Sequence, residues 1–376
     1  MSEQEWYAPL PFRVPIEVSA AGFERYDKPA EVELDLGQAL TALGQAGTPA
    51  ADSVRVVEVD AQGALRHVAV PFQLDLEEGA RRGTLVVLLA GTTPAQATRH
   101  FQVYFDLAGH NREPARVPSQ VMVQDAGVYE GQESLRITTV AATYFYHKEG
   151  AGFASLIDRD GNDWISYHPE GRSAGHFRGI PNLGECGHPG YTNSCSRVLS
   201  AGPLKARILA ETRDGKWVFT WDFYPHYARM TLLRGLGPYY FLYEGTPGGK
   251  LDEAAGFCLR STGQRTPLSE IWDEHIPHPA WACFGNGHLR RVLYLVRHET
   301  DPVPDQYWPM EHNMTVFGFG RKYKSRVRYM ERVPAHFTIG LTDHVDLHDV
   351  RAAVDSAFRE LEVTVGQPAA RCKETP

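Results

Sequence analysis

The stretch from Tyr167 to Tyr191 gathers three histidines (His168, His176, His188), two arginines (Arg172, Arg178) and two tyrosines (Tyr167, Tyr191) among glycines and prolines. It is too rich in Gly and Pro for a regular element, and loops longer than about 12 residues are uncommon and often functional. His176 or His188 can act as a base near neutral pH. Arg178 can clamp a carboxylate, Tyr191 can donate a phenolic proton, and Asn182 can hydrogen-bond a substrate. The histidines lie eight and twelve residues apart. That spacing fits no helix-based zinc motif such as HExxH, so no metal is expected, although ligands from distant loops stay open. The competing reading is a surface loop held by turns.

Glu244 follows the apolar run Tyr239–Leu242 and precedes Gly245-Thr246-Pro247-Gly248-Gly249. A carboxylate at a strand end before a forced turn is well placed to sit rigidly at a cleft rim, and Tyr243 beside it is a second candidate proton donor. GTPGG lacks the GxxxxGK[ST] pattern of a phosphate loop. The plain alternative is a turn with a charged edge residue. In Trp221–Arg229, alternate residues of a strand share a face, so Tyr224 and His226, with Arg229 beyond them, are candidates for a sugar-facing surface. Pro225 implies a break there, and a core histidine is the bland reading of His226. Trp308 and His312, in the run Asp305–Met314, suit a binding loop. Gly318 and Gly320 suggest a bulge or a close backbone approach. The cluster Arg321–Arg326 reads as a solvated strand end or a local anion site. The segment Trp272–Pro279 reads as a solvated connector.

These residues need a scaffold, and the scaffold reads as strands. Phe12–Ser19, Glu31–Leu36, Val54–Val59 and Phe101–Phe105 alternate apolar and polar residues, the signature of strands with one buried face. Leu85–Leu89 is continuously apolar and fits a strand buried on both faces. Gln38–Leu43 looks like a short helix, and Asp60–Gly63 like a hairpin turn. These elements predict a small N-terminal β-sandwich over residues 8–108, followed by a polar linker at 109–118. Strands resume with Leu135–Tyr146, Leu204–Thr212, Trp217–Phe223, Tyr239–Tyr243, Val292–Arg297, Met314–Phe319 and Phe337–Leu341. One C-terminal helix is predicted over Leu347–Leu361, with Val350, Val354, Phe358 and Leu361 at helical spacing after Asp346. The fold class is mainly β, with residues 119–376 forming a large antiparallel β-sandwich. A small β-sandwich before a large strand-rich domain resembles carbohydrate-active proteins with a galactose-mutarotase-like supersandwich. The resemblance concerns architecture over most of the chain and implies sugar chemistry without assigning a reaction.

The chain has 376 residues and a formal net charge of −8, which argues against nucleic acid as a partner. No apolar run reaches the roughly 18 residues that would span a bilayer, so no membrane partner is expected. The acidic start Met1–Trp6 shows no signal peptide, so a cytoplasmic location is expected; a chain with its leader removed would read the same. Five cysteines, an odd number, suit a reducing compartment, with closure of a Cys186–Cys195 loop left open. There is no GxSxG elbow, P-loop or GxGxxG, and no cofactor is expected. The leading expectation is an enzyme acting on an oligosaccharide or acidic sugar, by β-elimination or hydrolysis. In elimination, His176 or His188 is the base, Arg178 the clamp, and Tyr191 or Tyr243 the donor. Hydrolysis needs a second carboxylate facing Glu244, with Glu185, Asp222 and Glu311 as candidates. A mutarotase or epimerase and a non-catalytic sugar-binding protein are the alternatives. Assembly into a homo-oligomer is left open.

Overall fold

Period-two alternation becomes burial in the strand Phe12–Ser19, where Phe12, Val14, Ile16 and Val18 are buried and Glu17 is exposed. This is seen in a computed structural model, which describes residues 5–76, 79–171 and 174–371. Arg172, Cys372 and the first four residues of the acidic start lie outside the described residues. The chain divides into two compact units.

The smaller unit comprises residues up to Ser119, Gly202–Leu204, and Arg359 onward. One antiparallel sheet runs in the order Glu362–Val365, Phe12–Ser19, Thr98–Phe105, Arg55–Val59, Leu65–His67, and Ala369–Ala370 also pairs with Phe12–Ser19. A second sheet joins Arg25–Asp35, Arg82–Thr93 and Phe72–Asp75. Leu85, Val87 and Leu89 face the main core, whereas Val86 and Leu88 pack with Leu204. Both faces of that strand are thus buried, which explains its unbroken apolar run. Asp35 caps the short helix Leu36–Ala42, its side chain accepting from the Gln38 amide at 2.7 Å. Residues 111–119 have no regular structure, yet Ala115 and Val117 pack on the unit's core. The C-terminal residues differ from the expected division at 119–376. Glu362–Val365 completes the first sheet beside Ile16–Ser19, so the chain's end belongs with its beginning.

The larger unit holds a nine-stranded antiparallel sheet and two four-stranded ones. Its main core combines Trp221, Phe223 and Phe337 from the large sheet with Tyr144, Phe153, Tyr243, Tyr307 and Phe317 from the smaller ones. Each such side chain taken from water stabilises the fold by roughly 1.5–3 kcal/mol. The helix Leu347–Phe358 buries Val350, Val354 and Phe358 in a separate cluster with Tyr224, Tyr227, Trp281 and Tyr294. Asp346 caps it through the Asp349 amide at 3.1 Å. No helix among the described residues is long and apolar enough to cross a membrane.

One four-stranded sheet runs Phe241–Gly245, Met314–Phe319, Asp305–Met310, Trp272–Glu274. Its inner face gives Phe241, Tyr243, Tyr307, Phe317 and Phe319 to the core. Alternation sends Leu242, Glu244, Trp308, Met310, Met314 and Val316 to the other face. There Leu242, Trp308, Met314 and Val316 make a small apolar cluster of their own.

Candidate active site

Glu244 emerges from the last turn of pleat in Phe241–Gly245, its backbone held on both sides. It pairs with Val316 across the sheet. On its free edge its amide donates to the Gly179 carbonyl at 3.0 Å and its carbonyl accepts from the Gly179 amide at 2.7 Å. The Tyr167–Tyr191 stretch therefore supplies an extra edge to the sheet. Gly179 fits because a Cβ there would collide with Pro189 and lie 3.1 Å from the His188 ring.

That edge brings His188 onto Glu244. His188 Nε2 lies 3.2 Å from Glu244 Oε2, with the two side chains only 6% and 9% exposed. The approach is at ion-pair distance but off the hydrogen-bond direction, leaving Nε2 buried without a hydrogen-bond partner. Nδ1 faces the Pro189 carbonyl at 2.5 Å. A carbonyl only accepts, so Nδ1 carries a hydrogen. Asn182 Nδ2 donates to the same Oε2 at 2.9 Å, while its Oδ1 accepts from the Gly184 amide at 2.9 Å. Asn182 thus bonds Oε2 while His188 stands against it, and Oε1 takes no hydrogen bond from any described residue.

Above this couple lies a pocket of about 340 Å³ lined by Phe177, Asn182, His188, Tyr191, Glu244 and two methionines, Met310 and Met314. The Tyr191 ring centroid is 5.6 Å from that of His188. Burial, then Tyr240 and the Glu244 charge, push the Tyr191 phenol upward, so it stays protonated at neutral pH. The pocket's loop is anchored through the hairpin tip beyond Met310. Glu311 and His312 there both adopt left-handed backbone (φ 52° and 53°), and Glu311 Oε2 accepts from the Gly175 amide at 3.2 Å.

Of the residues singled out in the sequence, His188, Tyr191, Asn182 and Glu244 come together. The others go elsewhere. Tyr243 is fully buried and donates to the Trp164 carbonyl at 2.8 Å, so it cannot act as the donor. Arg178 is spent on backbone carbonyls, Gly175 at 2.7 Å, Ser166 at 3.1 Å and Asn313 at 3.3 Å; it braces the loop and is no substrate clamp. Tyr224 lies in the cluster under the C-terminal helix, and His226 in the turn between Trp217–Phe223 and Tyr227–Gly235. The strand ends at Phe223, so alternation does not carry Tyr224 and His226 onto one open face. Arg229, on the next strand, stands opposite Asp222 and Thr338 in the nine-stranded sheet. His176 and His312 do not line the pocket; His312 pairs with Glu253 at 2.8 Å. Trp308 shares the sheet face of Glu244, within the small apolar cluster.

None of the three candidate second carboxylates faces Glu244. Glu185 pairs with Arg328 at 2.7 Å, Asp222 with Arg207 at 2.6 Å, and Glu311 takes the Gly175 amide. Four cysteines, Cys186, Cys195, Cys258 and Cys283, are free thiols, so Cys186 and Cys195 close no loop. Among the described residues no group of three or more His, Cys, Asp or Glu side chains is placed to hold a metal ion. Sequence reasoning missed Phe177, Met310 and Met314. The methionines were legible in principle, since on strands paired through Met310 and Met314 they share the face of Glu244.

No family model matches the chain, and no curated protein is similar to it in sequence. A solved structure described as "Crystal Structure Analysis of HI1317" is similar with a TM-score of 0.40 and 10% identity, covering 61% of this chain and 98% of that one.

Proposed function

We propose that the chain is a carbohydrate-active enzyme that cleaves an acidic oligosaccharide by β-elimination at the Glu244–His188 couple. The observation that carries the reading is a buried couple at 3.2 Å under a pocket with a protonated tyrosine at its wall. Glu244 takes the proton from C5 of a uronate through Oε1, and the C5 electrons form the C4=C5 double bond. The C4–O bond breaks, and the leaving oxygen receives the Tyr191 proton. His188 and Asn182 fix Glu244 from behind, so the expected base becomes a positioning residue and the carboxylate takes its place. Glu244 is the sole carboxylate lining the pocket among the described residues, which favours elimination over hydrolysis by paired carboxylates. A single acid–base couple also suits a sugar epimerase, which would return the proton to C5 without cleavage.

The test is incubation of the purified chain with polyuronate oligosaccharides, following the ultraviolet absorbance of the unsaturated product. Glu244→Gln should lower turnover by about a hundredfold or more and Tyr191→Phe by a similar factor. Exchange of solvent deuterium into C5 without new ends would select the epimerase. No reaction on any uronate, or an active Glu244→Gln variant, would defeat both.

A further inference from the structure

Several arginines of the larger unit are committed. Arg178 bonds three carbonyls, Arg297 pairs with Asp305 at 3.0 Å, Arg291 with Asp158 at 3.1 Å, and Arg328 with Glu185 at 2.7 Å. Arg321 differs. Its guanidinium makes no ion pair or hydrogen bond with any described residue, and its Nε is buried without a partner. Such a donor is costly to bury unless an acceptor arrives.

Its position follows from a glycine. Gly318 pairs with Leu242 in the register that sets Val316 opposite Glu244, so it lies one same-face step along from the Glu244 row. With no side chain at Gly318, Leu242 and Arg321 both pack over the strand; a Cβ there would collide with Leu242 Cδ2 and lie 3.3 Å from Arg321 Cβ and 3.7 Å from its Cδ. The guanidinium carbon is 5.0 Å from the ring centroids of both Tyr240 and Trp308. Tyr240 in turn feels the Glu244 charge and is felt by Tyr191. Two aromatic rings hold the guanidinium plane while leaving hydrogen-bonding edges for a ligand. The exposed Lys322, Lys324 and Arg326 add positive charge nearby, against which Asp273 accepts from the Tyr323 amide at 2.7 Å.

We infer that Arg321 is the carboxylate-binding residue of this site, taking the acid group of a uronic-acid unit whose ring occupies the adjoining pocket. The inference rests on the reading of that pocket as a sugar site and names its substrate class. A planar guanidinium edge matches a planar carboxylate through two parallel hydrogen bonds. The arginine neutralises the acid group, which makes the C5 proton easier to remove.

The test is calorimetric binding of digalacturonate and of its dimethyl ester to the Glu244→Gln chain, which blocks turnover. The free acid should bind at least about tenfold more tightly than the ester, and its affinity should fall as salt rises. Adding Arg321→Gln should abolish that preference, and Arg321→Lys should restore part of it. Thermal melting checks that each variant folds; the acid–ester comparison on unaltered Arg321 serves even if Arg321→Gln does not. Equal affinities, no binding of either compound, or an unchanged preference in a folded Arg321→Gln variant would overturn the inference. Acid preference without turnover by the unsubstituted chain would remove the elimination reading and leave the subsite. Turnover with no acid preference would do the reverse.

Discussion

His188 and Glu244 stand 56 residues apart in sequence, as 244 minus 188 gives, and meet at 3.2 Å because the Gly179 backbone zips onto the edge of the Glu244 strand. The histidine's far nitrogen is tied to the Pro189 carbonyl. The imidazole is therefore tied to the backbone by one nitrogen and set against the carboxylate by the other.

Replacing His188 by Gln should lower kcat by about a hundredfold and leave KM nearly unchanged, because Oε1 keeps its place in the pocket while its support weakens. Steady-state kinetics on a polyuronate would check the split. A rise in KM alone would assign His188 to substrate contact instead.

His147 is fully buried, and burial, opposed by a backbone contact with Tyr129, lowers its pKa to about 4. The folded state keeps it neutral where the unfolded chain, with a histidine near 6.5, takes up a proton. Its contribution is therefore fully present above about 6.5 and is lost as pH falls toward 4, by roughly 3 kcal/mol across that window. His147→Phe should flatten the decline of melting temperature between those pH values. An identical decline in the variant would assign the acid sensitivity to other groups.

Tyr243→Phe removes the side-chain donor to the Trp164 carbonyl, which keeps the Thr246 amide at 3.1 Å, and should destabilise the larger unit by about 1 kcal/mol. Turnover per folded molecule should stay within about twofold of the parent, a factor small on the scale of acid–base catalysis. A hundredfold loss of activity with an unchanged melting curve would return Tyr243 to the chemistry.

Arg178→Lys keeps the charge but offers a single nitrogen where three carbonyls, of Gly175, Ser166 and Asn313, are served by three. Limited proteolysis should cut between residues 167 and 191 faster in this variant than in the parent. Equal cleavage rates would show that the loop is held by other contacts.

The β-rich class, the hairpin at Asp60–Gly63 and the C-terminal helix follow from short-range periodicity, and all are present in the structure. Glu244 was equally legible as a carboxylate at a strand end. The same periodicity excludes its neighbour: adjacent strand residues face opposite sides, so Tyr243 and Glu244 cannot share a pocket. Arg178 is different, because nothing in its residue type says whether five donors meet a ligand or three backbone carbonyls. Tyr224 and His226 depend on where the strand stops and which helix lies beneath, both decided by packing far along the chain. Glu362–Val365 is a short, mixed segment whose partner lies near residue 16, and pairing over that distance leaves no local trace.

That last pairing has a consequence for how the protein is made. Glu362–Val365 is synthesised more than three hundred residues after the strand Phe12–Ser19 that it borders. Between those moments all of the larger unit emerges and can fold, while the first sheet keeps a raw edge open to mispairing. The sheet that starts before the larger unit is thus completed only after it, and shielding that edge in between falls to whatever receives the nascent polypeptide.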